Sequence, residues 1–234
     1  MCARYTLTAE EKEILKNHPH QIQGEWNPNY NLAITQKGLV ITADEPDIIQ
    51  QMAFGIVPYF AESLKLTRDT WNIKSETALE SKLWGPLLRK NKTCIIIADS
   101  FYEWKEFGKG DKQPYRFTVK DRKLFCFAGL WSQWVDPETN EKFRTYGILT
   151  TEANPLVAEI HAKKRMPVIL SKAEEEIWLS KTLPLETRMT LLDAFPQELM
   201  NRIKISKRVN AVSTLKKPNN NSDLLLPLNT DEDI

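Results

Sequence analysis

Short apolar runs fill the middle of the chain, and turn-forming residues separate them. Runs of this length that are rich in β-branched and aromatic residues predict strands. The pair DR and the segment DPETN are turn signals between the later runs. The predicted strands are GLVITA, QQMAFGIVP, TCIIIA, YRFTVK, KLFCFAGLW, FRTYGILTT and RMPVIL, and the segment SFYEWK is predicted as an aromatic and acidic turn.

Helical signals occur around these runs. Leu79, Leu83 and Leu87 recur at a spacing of four, which places them on one face of a helix that begins near Thr77. The segment LPLETRMTLLDAF is also predicted as a helix. Capping signals mark three further helix starts. They are Thr8 with Glu11 for a helix to about Lys16, Asn154 with Pro155 for a helix that ends near His161, and Ser171 with Glu174.

The order of these elements indicates the fold class. Strands and helices are mixed without regular βαβ alternation, which favours an α+β fold with a largely antiparallel sheet. The length of 234 residues fits one compact domain, which we place over residues 1–215. The closing segment KKPNNNSDLLLPLNTDEDI is rich in Pro, Asn and acidic residues. It predicts a poorly ordered tail over residues 216–234.

Charge and hydropathy exclude several classes of protein. The chain has 32 basic and 31 acidic residues and a net charge of +1, so no global basic field holds a polyanion. Nucleic-acid binding would need a local patch. The start of the chain lacks the apolar region of a signal peptide, and no run approaches the roughly 18 apolar residues of a membrane helix. We therefore expect a cytoplasmic protein with no membrane partner, in which thiols stay reduced.

The cysteines predict no metal site and no disulfide framework. The three are Cys2, Cys94 and Cys126, and their spacing matches no zinc or redox motif. Cys94 and Cys126 lie in strand-like runs, which favours small buried hydrophobic residues. Cys2 has no such context, because it directly follows Met1.

Removal of Met1 would give Cys2 a free α-amine and a thiol on adjacent carbons. An amine condenses with an aldehyde to an imine, and the neighbouring thiol then closes onto the imine to form a five-membered thiazolidine. Ring closure is intramolecular, so its effective molarity is high. Internal cysteines lack this chemistry because their nitrogen is an amide. On position alone, the plainer interpretation is a small residue that is compatible with methionine removal.

Three other residues are candidates for acid–base or positioning roles. Glu103 lies between two large aromatics after an apolar strand, where partial desolvation would raise its pKa. His161 could be a helix C-cap or a group that titrates near neutral pH. Asn72 in WNIKSET carries an amide that could orient an amine. His18 and His20 flank a proline and are predicted on the surface.

Basic and aromatic residues recur near these candidates. Cations track phosphates and aromatic rings stack on bases when a protein binds a single strand of nucleic acid. The basic residues are Arg4, Lys74, Lys163, Lys164 and Arg165, and the aromatic residues are Trp71, Tyr102 and Trp104.

Taken together, the motifs resemble those of the SOS-response-associated peptidase (SRAP) family of abasic-site processing proteins. The matching segments are MCARY, PNYNLAITQ, FGIVPYF, WNIKSET, CIIIADSFYEWK, FAGLW and IHAKKRMPVIL, in family order across most of residues 1–170. The resemblance implies a compact α+β domain with a β-barrel-like core. It also implies a groove for single-stranded DNA.

The resemblance further implies a covalent function in the response to DNA damage. Met1 would be removed, and Cys2 would form a thiazolidine with the ring-opened aldehyde of an abasic site. Asn72 would support the amine, Glu103 would transfer protons in imine formation and Met1 removal, and His161 would assist opening of the sugar ring. The implied DNA-binding residues are Arg4, Ile34, Lys74, Trp104, Lys163, Lys164 and Arg165.

We expect no cofactor and no metal. The implied partner is single-stranded DNA with abasic sites. We expect a monomer that associates with the nucleoid when it is bound to DNA, with replication proteins as further partners.

Four features depart from the family pattern. Ala3 replaces the usual Gly after the cysteine, Ile34 replaces a loop Pro, and Lys74 replaces an Arg. Ala3 would cost about 1 kcal/mol if its position needed a positive φ. Lys74 keeps the charge but loses the bidentate fork. The segment HAKKRMP holds two more residues than the usual HxRMP, so the basic residue that contacts phosphate is open.

Two other functions remain open from the sequence. The same thiol and acid–base groups would serve an N-terminal-cysteine hydrolase that cleaves amide bonds. A non-catalytic nucleic-acid-binding module would instead bind reversibly and depend strongly on salt. The sequence also leaves open whether Met1 removal is autocatalytic, whether the crosslink reverses, and whether the protein cleaves the DNA strand as a β-lyase.

Overall fold

The secondary structure combines short helices with long strands. The structure is a computed structural model that describes residues 2–64, 70–108, 110–214 and 217–228. The α-helices of these residues are α1 (Glu11–Asn17), α2 (Ser75–Ala78), α3 (Trp84–Arg89), α4 (Pro155–Ala158), α5 (Lys172–Leu179) and α6 (Leu185–Met189). The strands are β1 (Arg4–Leu7), β2 (Gln21–Ile22), β3 (Asn29–Ala33), β4 (Lys37–Thr42), β5 (Ile48–Phe54), β6 (Asn72–Lys74), β7 (Thr93–Ala98), β8 (Ser100–Glu106), β9 (Lys112–Val119), β10 (Phe125–Val135), β11 (Lys142–Glu152), β12 (Arg165–Pro167), β13 (Ile169–Leu170), β14 (Met200–Lys204), β15 (Ser213–Thr214) and β16 (Lys217–Pro218).

Five strands close into a ring. Their order is β11–β10–β7–β4–β5, and β5 pairs with β11 to complete the circle. The β5–β11 pairing is parallel, whereas the other four pairings of the ring are antiparallel. Closure removes the open edges that would otherwise pair with other chains. The predicted α+β fold with a barrel-like core and a single compact domain is confirmed.

A second antiparallel sheet packs beside the ring, in the order β14–β9–β8–β1–β3. One apolar cluster joins the two sheets and includes Tyr5, Phe101 and Tyr146. A second cluster lies on the other face of the ring strands, against α1, α3 and α5. Because apolar residues cover both faces, TCIIIA reads as a continuous buried run and not as an alternating one.

A hydrogen bond ties β1 to the ring. The hydroxyls of Tyr5 and Tyr146 lie 2.5 Å apart in the core. Gly38 makes room for this pair, since a Cβ at that position would lie 2.0 Å from the Tyr5 oxygen and 2.4 Å from the Tyr146 oxygen. The contact holds β1, which begins two residues after Cys2, against the ring.

Several sequence-based elements are confirmed. Asn154 caps α4 through a hydrogen bond from the Val157 amide, with Pro155 at the first position. Ser171 and Glu174 form the predicted capping box of α5. No helix within the described ranges is long and apolar enough to cross a membrane.

Other elements differ from their predictions. The segment SFYEWK is part of strand β8 and not a turn, because it pairs with β1 on one side and β9 on the other. Thr8 is not a helix cap: its hydroxyl donates to Asp99 Oδ2 at 2.7 Å, and α1 begins after Glu10. The helix predicted from Thr77 is two short helices, α2 and α3.

Residues 217–228, which the sequence analysis assigns to the tail, pack against the second sheet. Leu224 is buried in a small cluster with Tyr102, Ile205 and Val209. Ile205 also pairs with Pro227 in an isolated β-bridge. A few apolar side chains therefore hold this segment against the second sheet despite its polar composition. The prediction for residues 229–234 lies outside the described residues.

Candidate active site around Cys2

Cys2 lies two residues before the start of β1 at Arg4, in the apolar cluster between the two sheets. Only 1% of its surface is exposed, and its thiol donates to the Arg4 carbonyl oxygen at 3.4 Å. Burial raises the pKa of the Cys2 thiol, and the charge of Glu103 raises it further. The thiol is therefore protonated at neutral pH, which means that it carries its own proton into any addition reaction.

Glu103 faces Cys2 because of the strand pairing. Tyr5 pairs with Phe101 across β1 and β8, and this antiparallel register places Ala3 level with Glu103. Side chains alternate along a strand, so Glu103 shares the inward face of Phe101. Glu103 is 1% exposed, and burial raises its pKa to about 7. Such a carboxyl can both accept and donate a proton near neutral pH.

His161 approaches Glu103 from the turn after α4. Its Nε2 lies 3.6 Å from Glu103 Oε2. Its Nδ1 accepts a hydrogen bond from the Arg165 amide at 3.1 Å, so the neutral ring carries its proton on Nε2. Burial lowers the pKa of His161 to about 4. At neutral pH the contact with Glu103 is therefore made by a neutral imidazole, which is an N–H donor and not half of an ion pair.

Asn72 reaches the cysteine from the ring side. It begins β6, which pairs in parallel with β11 at Ile148. The Asn72 amide nitrogen donates to the Cys2 carbonyl oxygen at 2.9 Å. Asn72 Oδ1 and Glu103 Oε1 are both buried without a hydrogen-bond partner among the described residues. Buried acceptors of this kind are costly unless a donor arrives.

Two cavities open over these residues. A cavity of about 440 Å³ is lined by residues that include Glu103, Trp104, His161 and Lys163. A second cavity, of about 400 Å³, is lined by Asn72 together with basic residues, and Lys163 also contributes to it. The second cavity is also lined by Lys74, Trp84 and Arg165, which do not line the first. Lys163 thus links the space in front of the acid–base pair to a basic surface.

The predicted basic contacts separate into two groups. Lys74 and Lys163 are exposed, and neither forms an ion pair with another residue that the structure describes. Arg165 forms a bidentate ion pair with Glu76, in which its two Nη atoms lie 2.6 and 2.8 Å from the carboxylate oxygens. Lys164 adopts a positive φ of 48° in the turn between His161 and Arg165. The structure therefore leaves Lys163, more than its two neighbours, available to a ligand in the cavities.

Arg4 and Trp104 bind the C-terminal part of the chain. The Arg4 guanidinium donates to Asn31 Oδ1 at 2.6 Å and to the carbonyl oxygens of Val209 and Asn210 at 2.8 and 3.2 Å. The Trp104 indole donates to Asn210 Oδ1 at 2.7 Å. Both side chains also line the first cavity. Asn210 is a wall residue that the sequence analysis missed, since no local pattern reports a contact across more than a hundred positions.

The structure shows how the chain accommodates Ala3 and Ile34, two of the departures from the family pattern. The described non-glycine residues with positive φ do not include Ala3, so Ala in place of Gly causes no backbone strain there. Ile34 follows Ala33, which pairs with Arg4, and it packs against the apolar cluster that contains Cys2. Backbone hydrogen bonds from Thr35 to Phe54 and from Phe54 to Gln36 hold the Ile34 turn in place.

The site thus brings together Cys2, Asn72, Glu103 and His161, although they lie far apart in the sequence. A thiol, a carboxyl that titrates near pH 7 and a neutral imidazole donor suit addition to a carbonyl carbon followed by proton transfer. The fold and the site together define an α+β protein with a buried cysteine at the second position, beside a buried carboxyl and a histidine.

The chain belongs to the SOS response associated peptidase (SRAP) family, whose profile matches residues 1–212. The abasic site processing protein YoqW of Bacillus subtilis is 36% identical over 234 residues, covering 97% of this chain and 99% of that protein. The abasic site processing protein HMCES of Gallus gallus is 32% identical over 239 residues, covering 88% of this chain and 68% of that protein. A crystal structure of a protein from Bacteroides thetaiotaomicron matches with a TM-score of 0.84 at 26% identity, covering 97% of this chain and all of that one (100%).

Proposed function

We propose that the protein binds single-stranded DNA at an abasic site and forms a covalent thiazolidine through Cys2 after Met1 is removed. The relatives named above as abasic site processing proteins support the choice of lesion. The arrangement around Cys2 supports the chemistry. A cytoplasmic location, on the nucleoid when DNA is bound, belongs to the same proposal.

The reaction balances without an oxidant or a cofactor. The Cys2 amine adds to the aldehyde carbon, and the resulting carbinolamine loses one water to give an imine. The Cys2 sulfur then attacks the imine carbon. A C–S bond forms, the electron pair of the C=N bond takes up the thiol proton, and the net release is one water. The protonated state of the buried thiol suits this last step, because the proton is needed at nitrogen.

The three neighbouring residues have different roles in this reaction. Glu103 donates a proton to the leaving hydroxyl of the carbinolamine and accepts one from the amine. The Nε2–H of His161 donates a hydrogen bond to the sugar ring oxygen, which favours the ring-opened aldehyde. Asn72 holds the N-terminal residue in place through its contact with the Cys2 carbonyl.

The observation that carries this proposal is the pair of unpartnered acceptors, Asn72 Oδ1 and Glu103 Oε1. They belong to the two residues that face Cys2 from opposite sides. A free α-amine on Cys2 would supply the missing donor to both, whereas an amide nitrogen has a single hydrogen to give. Met1 itself lies outside the described residues.

The DNA strand is proposed to run along the exposed lysines of the two cavities. Lys74 and Lys163 would contact phosphates, and Trp104 would lie beside the base next to the lesion. Arg4, Ile34, Lys164 and Arg165 would shape this surface. Removal of Met1 by hydrolysis, with Glu103 as the proton carrier, and strand cleavage as a β-lyase are further activities within the proposal.

The proposal is tested with a single-stranded oligonucleotide that contains one abasic site. We expect a species that survives heat and denaturant with the wild type and is lost in Cys2→Ala. A matched oligonucleotide whose abasic site is reduced to the alcohol is the control, since it offers no aldehyde. Crosslinking of the reduced oligonucleotide, or none with the intact aldehyde, would refute the proposal. An acyl-enzyme on an amide substrate would favour the hydrolase, and unchanged reversible binding in Cys2→Ala with no crosslink would favour a binding module.

A further inference from the structure

We propose that His18, Cys126 and Glu175 form a binding site for a divalent cation of the zinc class, separate from the Cys2 site. His18 follows α1, Cys126 lies in β10, and Glu175 lies in α5. All three side chains are buried, although the sequence analysis placed His18 on the surface. The cation would tie two surface helices to a central strand of the ring.

The distances between the ligand atoms fit one cation. One nitrogen, sulfur or oxygen atom from each residue lies within 4.8 Å of the other two. His18 Nε2 lies 3.6 Å from Cys126 Sγ. Tetrahedral zinc with a Zn–S bond of about 2.3 Å and a Zn–N bond of about 2.05 Å separates these two atoms by roughly 3.6 Å. The histidine and cysteine are therefore already spaced as ligands of a common ion.

The charges and ligand types also fit. One thiolate and one carboxylate neutralise a dication, and a neutral imidazole completes three protein ligands, which leaves a fourth position for water. Binding replaces the S–H bond of Cys126 by an S–metal bond and releases one proton to solvent. A thiolate with an imidazole selects zinc or cobalt over magnesium or calcium, which prefer oxygen ligands.

Lys172 competes with the cation for the Glu175 carboxylate, on the Nδ1 side of the His18 ring, where Nδ1 lies 3.9 Å from Glu175 Oε2. Its ammonium lies 2.8 Å from Glu175 Oε2 and 3.2 Å from His18 Nδ1. Arg122 contacts the other oxygen of Glu175 at 3.5 Å. The Lys172 side chain is 59% exposed, so it can swing into water when a metal arrives. Lys172 therefore sets the affinity of the site without being a ligand.

The site cannot be found from spacing in the sequence. Zinc motifs are recognised by ligand pairs a few residues apart, whereas His18, Cys126 and Glu175 each come from a different part of the chain. Pairing of β10 with β7 and packing of α5 on both strands bring the last two together.

Titration of the untagged, metal-free protein with Co²⁺ alone tests the proposal. Bound cobalt with a thiolate ligand gives a charge-transfer absorption band in the near ultraviolet. We expect one equivalent to bind, a loss of affinity of at least about 100-fold in Cys126→Ser and in His18→Gln, and a gain of about tenfold in Lys172→Met. Zn²⁺ should displace the cobalt and raise the melting temperature of the wild type.

Two cysteine variants are matched controls. Cys94→Ala removes another buried thiol, from the neighbouring strand, and Cys2→Ser removes the thiol of the reactive site. Both should retain the band. A band that persists in Cys126→Ser, that disappears in Cys2→Ser, or that is absent from the wild type would overturn the proposal. Lys172→Met changes an exposed side chain, so its tighter binding is measurable even if a buried variant fails to fold, and unchanged affinity in Lys172→Met would count against the site.

Discussion

Replacing Glu103 by Gln keeps the size of the side chain and removes its titration. Burial raises the pKa of Glu103 from 4.5 to about 7. That difference corresponds to about 3 kcal/mol of preference for the neutral carboxyl in the folded protein. The stability of the wild type therefore falls as pH rises from 4.5 to about 7, because the unfolded carboxyl ionises first and draws the equilibrium toward unfolding.

The Glu103→Gln protein lacks this loss of stability. We expect the difference in unfolding free energy, variant minus wild type, to increase by up to about 3 kcal/mol between pH 4 and pH 8. Urea unfolding at these two pH values measures it. His161 has the opposite dependence in both proteins, since burial lowers its pKa to about 4 and its contribution is lost as pH falls. Comparing variant with wild type cancels that common term.

The same substitution should slow crosslinking by about 10² to 10⁴-fold, which is the usual contribution of a positioned proton carrier. The wild-type rate should also show a decline above about pH 7 that the variant lacks, because the acid form of Glu103 disappears there. The rate is measured by quenching single-turnover reactions with abasic-site DNA and separating the products under denaturing conditions.

Glu106→Gln is the matched control, since Glu106 lines the same cavity but is exposed and paired with Lys112. It should leave both the stability difference and the pH profile unchanged. A Glu103→Gln protein that crosslinks at the wild-type rate, or that keeps the decline near pH 7, would refute the assigned role.

Three further predictions concern the groove and its support. Lys163→Ala should weaken DNA binding and lower the slope of log affinity against log salt by about 0.7, as measured by fluorescence anisotropy, and an unchanged slope would exclude a phosphate contact. Arg4→Ala should lower the unfolding free energy by about 2 kcal/mol or more, because the carbonyl oxygens of Val209 and Asn210 lose their hydrogen bonds to the guanidinium. Equal urea midpoints for the variant and the wild type would contradict this. His161→Ala should slow crosslinking to an abasic site, whose sugar ring must open, more than crosslinking to an aldehyde that cannot close into a ring. Equal losses of rate with the two substrates would argue against a role of His161 in ring opening.

The local signals that predicted correctly depend on neighbouring residues alone. The caps of α4 and α5 are decided within four positions, and apolar runs such as TCIIIA mark buried strands directly. The ordered set of motifs also led to the SRAP family, which the profile match confirms. These features need no knowledge of how distant segments pack.

The errors arise where distant segments decide the outcome. The composition of SFYEWK indicates a turn, but the segment is a strand because it pairs with β1 and β9. The same pairing buries Glu103. The polar composition of residues 217–228 indicates a tail, whereas in the structure Leu224 is buried in a cluster with Tyr102. The deep burial of His18 and its contact with Cys126 are equally invisible in local spacing.

The central claim is covalent attachment through the processed N-terminal cysteine, and an intact mass measures it directly. After incubation with an abasic single strand, we expect a species whose mass is the protein without Met1, plus the oligonucleotide, minus one water. Peptide mapping should place the DNA on Cys2. An adduct that retains Met1, an adduct on another residue, or the same adduct with Cys2→Ala would contradict the account.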